Sequence, residues 1–366
     1  MARDNKLTIF ATGNGDSILI EALGKRILTD VNYRSTAQDG GNDECPDIGE
    51  IIRDACADHH LHLFVLTHPD VDHLRGFADL FHTGSPEKHD PKPKEGPGKI
   101  VVDEMWCSPY SANPNYVTDQ AKPLIDEIKR RKALMGTAEG DKPGNRLRIM
   151  DTSGTSSGSV VSGIRWELLG PTPDEATIPK GDDENQPSSN KSSLVIRWAV
   201  TIDGRDNLIL LGGDSTAEEW ERIHHDNLGD TPDRLTWHVL VPPHHTSRYA
   251  LGRKDEQDNF EFSDKAIEAL SEQRGQGWCV SSSKEIKKND DDPPSWSAKQ
   301  KYLKILANGG EVDASAEARF LCTGTHNEGK PDHVIFYLTG GGPTQSRGGL
   351  RKAGVTSVVS RGGSYG

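Results

Sequence analysis

The chain has 366 residues, of which 33% are apolar and 38 are glycines, so it can fold as one large domain or two ordinary ones. This composition excludes collagen-like, coiled-coil and fully disordered proteins. The net charge of −13 disfavours a protein that coats nucleic acid, because a negative surface repels phosphate backbones. The chain shows no long apolar run, signal peptide or Cys-x-x-Cys pair, which predicts a cytoplasmic protein without a membrane segment.

The first part of the chain predicts an antiparallel meander followed by α/β structure. Three short apolar stretches are joined by tight turns, namely 6–11, 17–21 and 26–30. A helical pattern over 47–59 leads into 61–66, whose lack of polar alternation predicts a strand buried on both faces. A polar turn and a second helical pattern over 74–81 follow. Such a strand–turn–helix junction is where α/β proteins place functional side chains.

The second half of the chain repeats this order of strands, polar turn and helix. Further strands are predicted at 100–106, 163–169, 193–202, 207–211, 237–241, 277–282 and 334–339. Further helices are predicted at 118–134, 216–223, 264–272 and 297–306. Segments rich in Pro, Ser, Gly or charge are predicted to be surface loops at 84–98, 151–163 and 170–191. We predict one domain over 5–340, with two α/β layers facing each other, and a flexible basic Gly/Ser-rich tail over 341–366.

The strongest motif is a dense run of potential metal ligands directly after the predicted strand 61–66. It contains His68, Asp70, Asp72 and His73 within six residues. Two imidazoles and two carboxylates at this density cannot leave water without a compensating cation. The simpler interpretation is a solvated loop in which one of the acids caps the next helix, but a cap needs only one acid. The run therefore predicts a metal site.

Two further signals follow predicted strands. Asp214 comes after the strand 207–211, and His244 and His245 come after the strand 237–241 and two prolines. Taken alone, Asp214 can be a helix cap and the histidine pair can be structural. Strand ends on one side of a layered α/β fold converge in space, so we expect these residues to reach the first motif.

Several motifs, taken in order, resemble those of hydrolases with the metallo-β-lactamase fold. T-H-P-D-V-D-H-L-R-G resembles their H-x-[HD]-x-D-H signature, and its third-position Asp is similar to that of ComEC-type DNA-uptake proteins and their stand-alone relatives. The other matches are G-N-G-D-S at Gly13, I-L-T-D ending at Asp30, N-K-S-S-L-V at Asn190, L-L-G-G-D ending at Asp214 and P-P-H-H-T-S around His244.

The resemblance implies an αββα sandwich with loop insertions and a dinuclear metal site at one edge. The implied metal ligands are His68, Asp70, Asp72, His73, Asp214 and His244. The first two would face one metal and the next two the other, with Asp214 as the bridge. Asp72 and His245 are the predicted catalytic residues, with His245 able to orient or protonate the substrate. Many relatives have a His as third ligand of the first metal, and here Asn190 is the nearest candidate.

Substrate contacts are predicted for Asn190, Ser192, Arg248 and Lys284. The last two follow strand ends near the site, where each can touch a phosphate or form a surface salt bridge. Thr246 replaces the Gly that follows the histidine pair in the family, and no histidine stands at 293–295, where ComEC-type chains often have one. These departures leave the substrate open.

The predicted site combines carboxylates and imidazoles, a set that suits two divalent ions, either Mn²⁺ or Zn²⁺. Two such ions activate water for in-line attack, so we predict a phosphodiesterase or nuclease that acts on short or single-stranded nucleic acid or on nucleotides. The tail residues Arg347 and Arg351 would guide the anion. One alternative is hydrolysis of a lactone, thioester or other ester. Another is a non-catalytic module of a defence or signalling assembly, whose long insertions would bind a protein partner.

Overall fold

The computed structural model describes residues 5–34, 45–177, 189–229, 232–291 and 293–346. Its strands are β1 (Lys6–Ile9), β2 (Ile18–Ala22), β3 (Lys25–Thr29), β4 (His60–Leu66), β5 (Val101–Cys107), β6 (Arg146–Ile149), β7 (Ser157–Val161), β8 (Ile164–Gly170), β9 (Val195–Ile202), β10 (Arg205–Leu211), β11 (Trp237–Val241), β12 (Gly252–Lys254), β13 (Phe260–Phe262), β14 (Gln273–Ser281), β15 (Phe320–Cys322), β16 (Val334–Thr339) and β17 (Gly342–Gln345).

The helical segments in the same ranges are α1 (Ile48–Ala55), α2 (Val71–Leu74), α3 (Phe77–Leu80), α4 (Lys122–Leu134), α5 (Ala217–Asp226), the tight turn α6 (Pro243–Thr246), α7 (Asp264–Ala269), α8 (Trp296–Leu306) and α9 (Ala314–Arg319). None of these described helices has the length and apolar character that a bilayer crossing requires.

Two large sheets pack face to face. The first has the strand order β17-β16-β1-β2-β3-β4-β5-β6, and the second has β15-β14-β11-β10-β9-β8-β7. Strands β1, β2 and β3 pair antiparallel, which confirms the predicted meander. Alternate side chains of both sheets join in one buried apolar cluster that includes Leu7, Ile20, Trp166, Trp198 and Val239. The inner faces of the sheets therefore form the central core.

Helices cover the outer face of each sheet. Phe64 of β4 packs with Ile52 of α1 and Ile125 of α4 in a second apolar cluster. Leu210 of β10 packs with Trp220 of α5, and residues of α7 and α8 belong to the same third cluster. The order of layers is helix, sheet, sheet, helix, which confirms the predicted αββα sandwich.

Two segments that composition assigned to loop or tail are strands. Within the predicted loop 151–163, β7 pairs antiparallel with β8, and Gly158 lets the backbone approach the ring of Trp166. Within the predicted tail, β17 pairs antiparallel with β16, so the boundary at 340 is too early. Backbone pairing overrode composition in both places. Residues 347–366, including Arg347 and Arg351, lie outside the described residues.

The predicted helix 74–81 is wrong in one respect, because it is interrupted. The helical turn α2 ends at Leu74 and α3 begins at Phe77. Gly76 between them has a φ of 70°, and a Cβ there would lie 2.4 Å from the carbonyl oxygen of Tyr33. The close approach of the segment after β3 therefore breaks the helix at a glycine.

Candidate metal centre

The carboxyl ends of strands from both sheets meet at one edge of the sandwich. β3 and β4 run parallel in the first sheet, and β10 and β11 run parallel in the second. Parallel strands present their carboxyl ends at the same edge, which brings the loops that follow them together. The backbone N–H of Leu194 donates to the carbonyl of Thr67 at 3.0 Å and joins the two sheets at this point.

Asp214 lies at the middle of the cluster, and its Oδ1 faces one group of donors. This oxygen is 3.2 Å from Nε2 of His73 and 3.6 Å from Nε2 of His245. Nε2 of His245 is also 3.2 Å from Oδ2 of Asp72. The ligand atoms of these four residues all lie within 4.8 Å of one another. They are close enough to share one cation.

The second carboxylate oxygen of Asp214 faces a different group. Oδ2 is 3.8 Å from Nε2 of His68 and 3.8 Å from Nε2 of His244. Nε2 of His68 is also 3.6 Å from Oδ2 of Asp70. Each oxygen of Asp214 therefore faces two imidazoles, and one of the two has a further carboxylate beside it. We call His73, His245 and Asp72 the inner group, and His68, His244 and Asp70 the outer group.

The structure brings all six sequence-predicted ligands together and adds His245 to them. Of the two adjacent histidines, only His244 was predicted to be a ligand, because the position nearest the strand is the ligand position in the family that the motifs resemble. In the turn α6 the φ angles of His244 and His245 are 51° and 52°, and both imidazoles reach Asp214. His244 lies beside Asp214 together with His68. Asn190 was the nearest candidate in the sequence for the third ligand at this position.

A further carboxylate contacts His73, and a backbone carbonyl and a more distant carboxylate lie near His245. Oδ2 of Asp30 lies 2.8 Å from Nδ1 of His73 and accepts from the Thr67 hydroxyl at 2.6 Å. Nδ1 of His245 lies 3.1 Å from the carbonyl oxygen of Ser282 and 3.6 Å from Oδ1 of Asp16. The acceptor at Nδ1 of His73 favours the tautomer in which Nε2 is free to bind a metal. Nδ1 of His245 also accepts from the backbone N–H of Gly15 at 3.3 Å. In the sequence, Asp30 and Asp16 belong to segments that resemble the family motifs, but no role was predicted for either residue.

Protons balance the charge of the inner group in the metal-free protein. Burial alone would lower the pKa of His73, but Asp214 and Asp30 hold it well above its usual value. Burial would also lower the pKa of His245, but Asp214 and Asp16 raise it to about 10. Burial would raise the pKa of Asp214, but His73 and His245 hold it well below its usual value. The cluster therefore requires positive charge to remain buried.

Buried polar atoms without hydrogen-bond partners indicate that cations fit this site. Nε2 of His68, Nε2 of His73, Nδ1 of His244 and Oδ1 of Asp214 are buried and have no hydrogen-bond partner. Such atoms are costly unless something binds them. Three of the four face the space around Asp214, and their nitrogen and oxygen donors are the kinds that Zn²⁺ and Mn²⁺ bind.

The predicted substrate residues have different surroundings. The Ser192 hydroxyl donates to the carbonyl of Ser189, so it stabilises its own turn. The Ser189 hydroxyl donates to the Asp70 carboxylate, a contact that sequence reasoning missed because no motif includes this residue. Asn190 is buried in the same turn. The described residues thus bring Ser189 to the outer group of donors.

The two predicted basic contacts also differ from each other. Nη1 of Arg248 lies 3.3 Å from Oδ2 of Asp291, and its guanidinium lies 4.6 Å from the centre of the Phe260 ring. This is the surface salt bridge considered as the alternative. The backbone N–H of Lys284 donates to Oδ1 of Asn14, which places Lys284 beside the G-N-G-D loop at the rim of the site.

Comparisons with known proteins give a likeness in overall shape only. No family model and no curated protein matches the chain. A possible metal-dependent hydrolase from Veillonella parvula matches with a TM-score of 0.41 at 12% identity, over 92% of this chain and 100% of that one. An isothiocyanate hydrolase from Delia radicum gut bacteria matches with a TM-score of 0.38 at 13% identity, over 89% and 97%. A diphosphatase of the PhnP family matches with a TM-score of 0.37 at 10% identity, over 90% and 97%.

Proposed function

We propose that the chain is a metal-dependent hydrolase whose centre holds two divalent cations bridged by Asp214. An outer group of His68, Asp70 and His244 would bind one cation, and an inner group of Asp72, His73 and His245 would bind the other. The supporting observation is that the two oxygens of one buried carboxylate face separate groups of donors. Each group offers two imidazoles and one carboxylate besides the shared one, which suits Zn²⁺ or Mn²⁺.

The exposed fractions of the ligand side chains indicate the side from which a substrate would approach. The side chains of His68 and His73 are fully buried, whereas those of Asp70 and Asp72 are 41% and 33% exposed. The substrate would therefore arrive over the two acids. A pair of divalent ions there would supply an activated water and stabilise charge on the attacked group.

A phosphodiester is the substrate class that we propose, as part of single-stranded nucleic acid or a nucleotide. In-line displacement at phosphorus needs both the attacking and the leaving oxygen stabilised, which a pair of cations can provide. Lys284 at the rim adds positive charge beside the G-N-G-D loop. The third-position Asp70, which resembles that of ComEC-type chains, points to the same substrate class.

Substitution of the bridging carboxylate tests this proposal. Asp214→Asn should reduce metal content from about two ions per chain and lower turnover of bis-p-nitrophenyl phosphate and single-stranded DNA by roughly 100-fold or more, because it weakens the one ligand that both cations share. Metal content is measured by elemental analysis and turnover with added Mn²⁺ or Zn²⁺.

The matched control is Asp206→Asn. Asp206 lies near the start of β10, the strand that Asp214 follows, and its carboxylate pairs with Arg165. This variant should keep both metal and turnover. Metal-dependent hydrolysis of carboxylic esters or lactones without phosphodiester turnover would instead support the alternative substrate class. Less than one ion per chain, with no turnover of any substrate, would contradict the hydrolase.

A further inference from the structure

A cavity of about 530 Å³ lies next to the segment that follows β3. Arg34 and Arg75 line it together with Tyr33, Asp79 and Asp119, and the two acids are exposed. Two guanidinium groups in one concave site are notable in a chain whose net charge is −13. Because Asp79 and Asp119 equal the two guanidinium groups in number, an anion would be held here by directed N–H donors and not by net charge.

Arg75 has unused binding capacity in this cavity. Its side chain is half-buried, and its Nε is buried without a hydrogen-bond partner. No ion pair joins it to Asp79, Asp119 or any other acid among the described residues. A guanidinium has five N–H donors in a planar fork that matches a phosphate, so an orphaned Nε is a donor available to a ligand.

The cavity adjoins the metal centre through two backbone hydrogen bonds. The N–H of Val31 donates to the carbonyl of His73 at 3.0 Å, and the N–H of Tyr33 donates to the carbonyl of Arg75 at 2.9 Å. The segment 30–34 therefore runs beside 73–75. Asp30 contacts the metal-centre residue His73 at one end of this pairing, and the cavity opens at the other end.

Arg34 connects the cavity with the rim of the centre. A Cβ at Gly13 would lie 3.5 Å from Nη1 of Arg34 and 3.8 Å from Cε of Lys284. Gly13 belongs to the loop whose Asp16 faces His245. Lys284, Arg34 and Arg75 thus form a basic path from the rim of the metal centre into the cavity.

We propose that this cavity binds a second phosphate group of the substrate. The inference rests on the proposed function and narrows it to phosphodiesters that carry a further phosphate, such as oligonucleotides with a terminal phosphate. The reacting phosphodiester would lie over the metal centre while Arg34 and Arg75 hold the neighbouring phosphate by charge-assisted hydrogen bonds. Specificity would then come from a contact outside the reacting group.

Binding to metal-free protein tests the subsite without turnover. The probes are dithymidine monophosphate and its 5′-phosphorylated form, and their dissociation constants are measured by calorimetry. Native protein should bind the phosphorylated form roughly tenfold or more tightly, because a hydrogen bond to a charged group contributes at least this much. Arg75→Ala and Arg34→Ala should each reduce this preference, and Arg75→Lys should restore part of it.

The control is Arg274→Ala, because Arg274 lines another cavity with Arg205 near the β9–β10 turn. It should leave the preference unchanged. Equal affinity of native protein for the two probes would overturn the subsite, as would a preference that survives both arginine substitutions.

Turnover by the metal-loaded protein separates the two proposals. A preference in KM for the phosphorylated dinucleotide, lost in Arg75→Ala, supports both the subsite and the hydrolase. Hydrolysis of both dinucleotides with equal KM overturns the subsite and keeps the hydrolase. A preference in binding with no metal-dependent turnover of any phosphodiester overturns the hydrolase, and the subsite then remains as a site for phosphorylated nucleotides.

Discussion

His244 and His245 show at the scale of single residues how backbone conformation decides which atoms meet. Their positive φ angles let two consecutive imidazoles face different oxygens of Asp214. The pattern P-P-H-H-T-S marks this position in the sequence, but it does not say which histidine joins which group. The sequence likewise does not show that Asp30 contacts His73, because the two residues are 43 positions apart in the chain.

Asp30 should affect metal binding although it would not touch the metal. Asp30→Asn removes the negative charge that raises the pKa of His73 and orients its ring. We expect metal affinity to fall by about 10- to 100-fold, as is typical when the partner of a metal-bound histidine is changed. Competition with a chelating dye measures the affinity. Asp58→Asn, which weakens the pair between the exposed Asp58 and the buried Arg26, is the matched control, and an equal loss in both variants would contradict the role of Asp30.

Metal binding should release protons at neutral pH. The pKa of His245 is about 10 and that of His73 is well above its usual value, so both imidazoles carry a proton at pH 7 without metal. A metal ligand must be neutral, so affinity should increase as pH rises from 7 toward 10. Calorimetry in two buffers of different ionisation enthalpy should show release of about two protons. A binding heat that does not depend on the buffer would contradict this protonation.

As the pH rises, the raised pKa of His245 makes metal binding tighter but makes the metal-free fold less stable. A group whose pKa is higher in the folded state stabilises that state below its unfolded pKa, here 6.5 for His245. This contribution is lost as the pH rises through about 10. The free energy of unfolding of metal-free protein, measured in denaturant, should therefore decrease over this interval.

At the scale of elements, tight turns after strands position the site. The turn between β1 and β2 brings Gly15 against Asp72, because a Cβ at Gly15 would lie 2.6 Å from the Asp72 carbonyl oxygen and 2.1 Å from Nδ2 of Asn32. Its φ of 138° is one that other residues rarely adopt. The sequence G-N-G-D predicts a turn here, but only the packed structure shows that this turn lies against the candidate metal centre.

Gly15→Ala should disturb this turn. We expect it to lower the free energy of unfolding by roughly 2–4 kcal/mol and to weaken metal binding, because the added methyl displaces Asn32 or the Asp72 backbone. Denaturant unfolding measures the loss. Gly204→Ala is the control, since Gly204 also has a positive φ of 79° but has no atom within 4 Å of its Cβ position. A similar loss in both variants would show that strain alone, without the clash, explains the effect.

At the scale of the whole molecule, the candidate metal centre lies between the two sheets. The loop after β4 belongs to the first sheet, whereas Asp214, His244 and His245 follow strands of the second. A cation bound between them would link the halves of the sandwich. Ligands that bind only the folded state stabilise it by mass action.

Metal removal should therefore lower thermal stability. At a free metal concentration of about 100 times Kd, the free energy of unfolding should increase by about 2.7 kcal/mol for each site. Differential scanning calorimetry with metal or with a chelator measures the shift in Tm. Asp214→Asn should lose most of this shift and Asp206→Asn should retain it, whereas identical Tm values for native protein in both conditions would contradict a metal that joins the sheets.

A resemblance of motifs implied the αββα order of layers, whereas the sequence by itself determined most of the strands and helices and the position of the H-P-D-V-D-H run after a buried strand. These features depend on local apolar patterns and on residue types that are close along the chain. The tertiary structure decided which oxygen of Asp214 each histidine faces, the role of Asp30, the strands β7 and β17, and the cavity beside Arg75. Each of these depends on backbone angles after a strand end or on partners from distant parts of the chain, and neither is encoded in spacing alone.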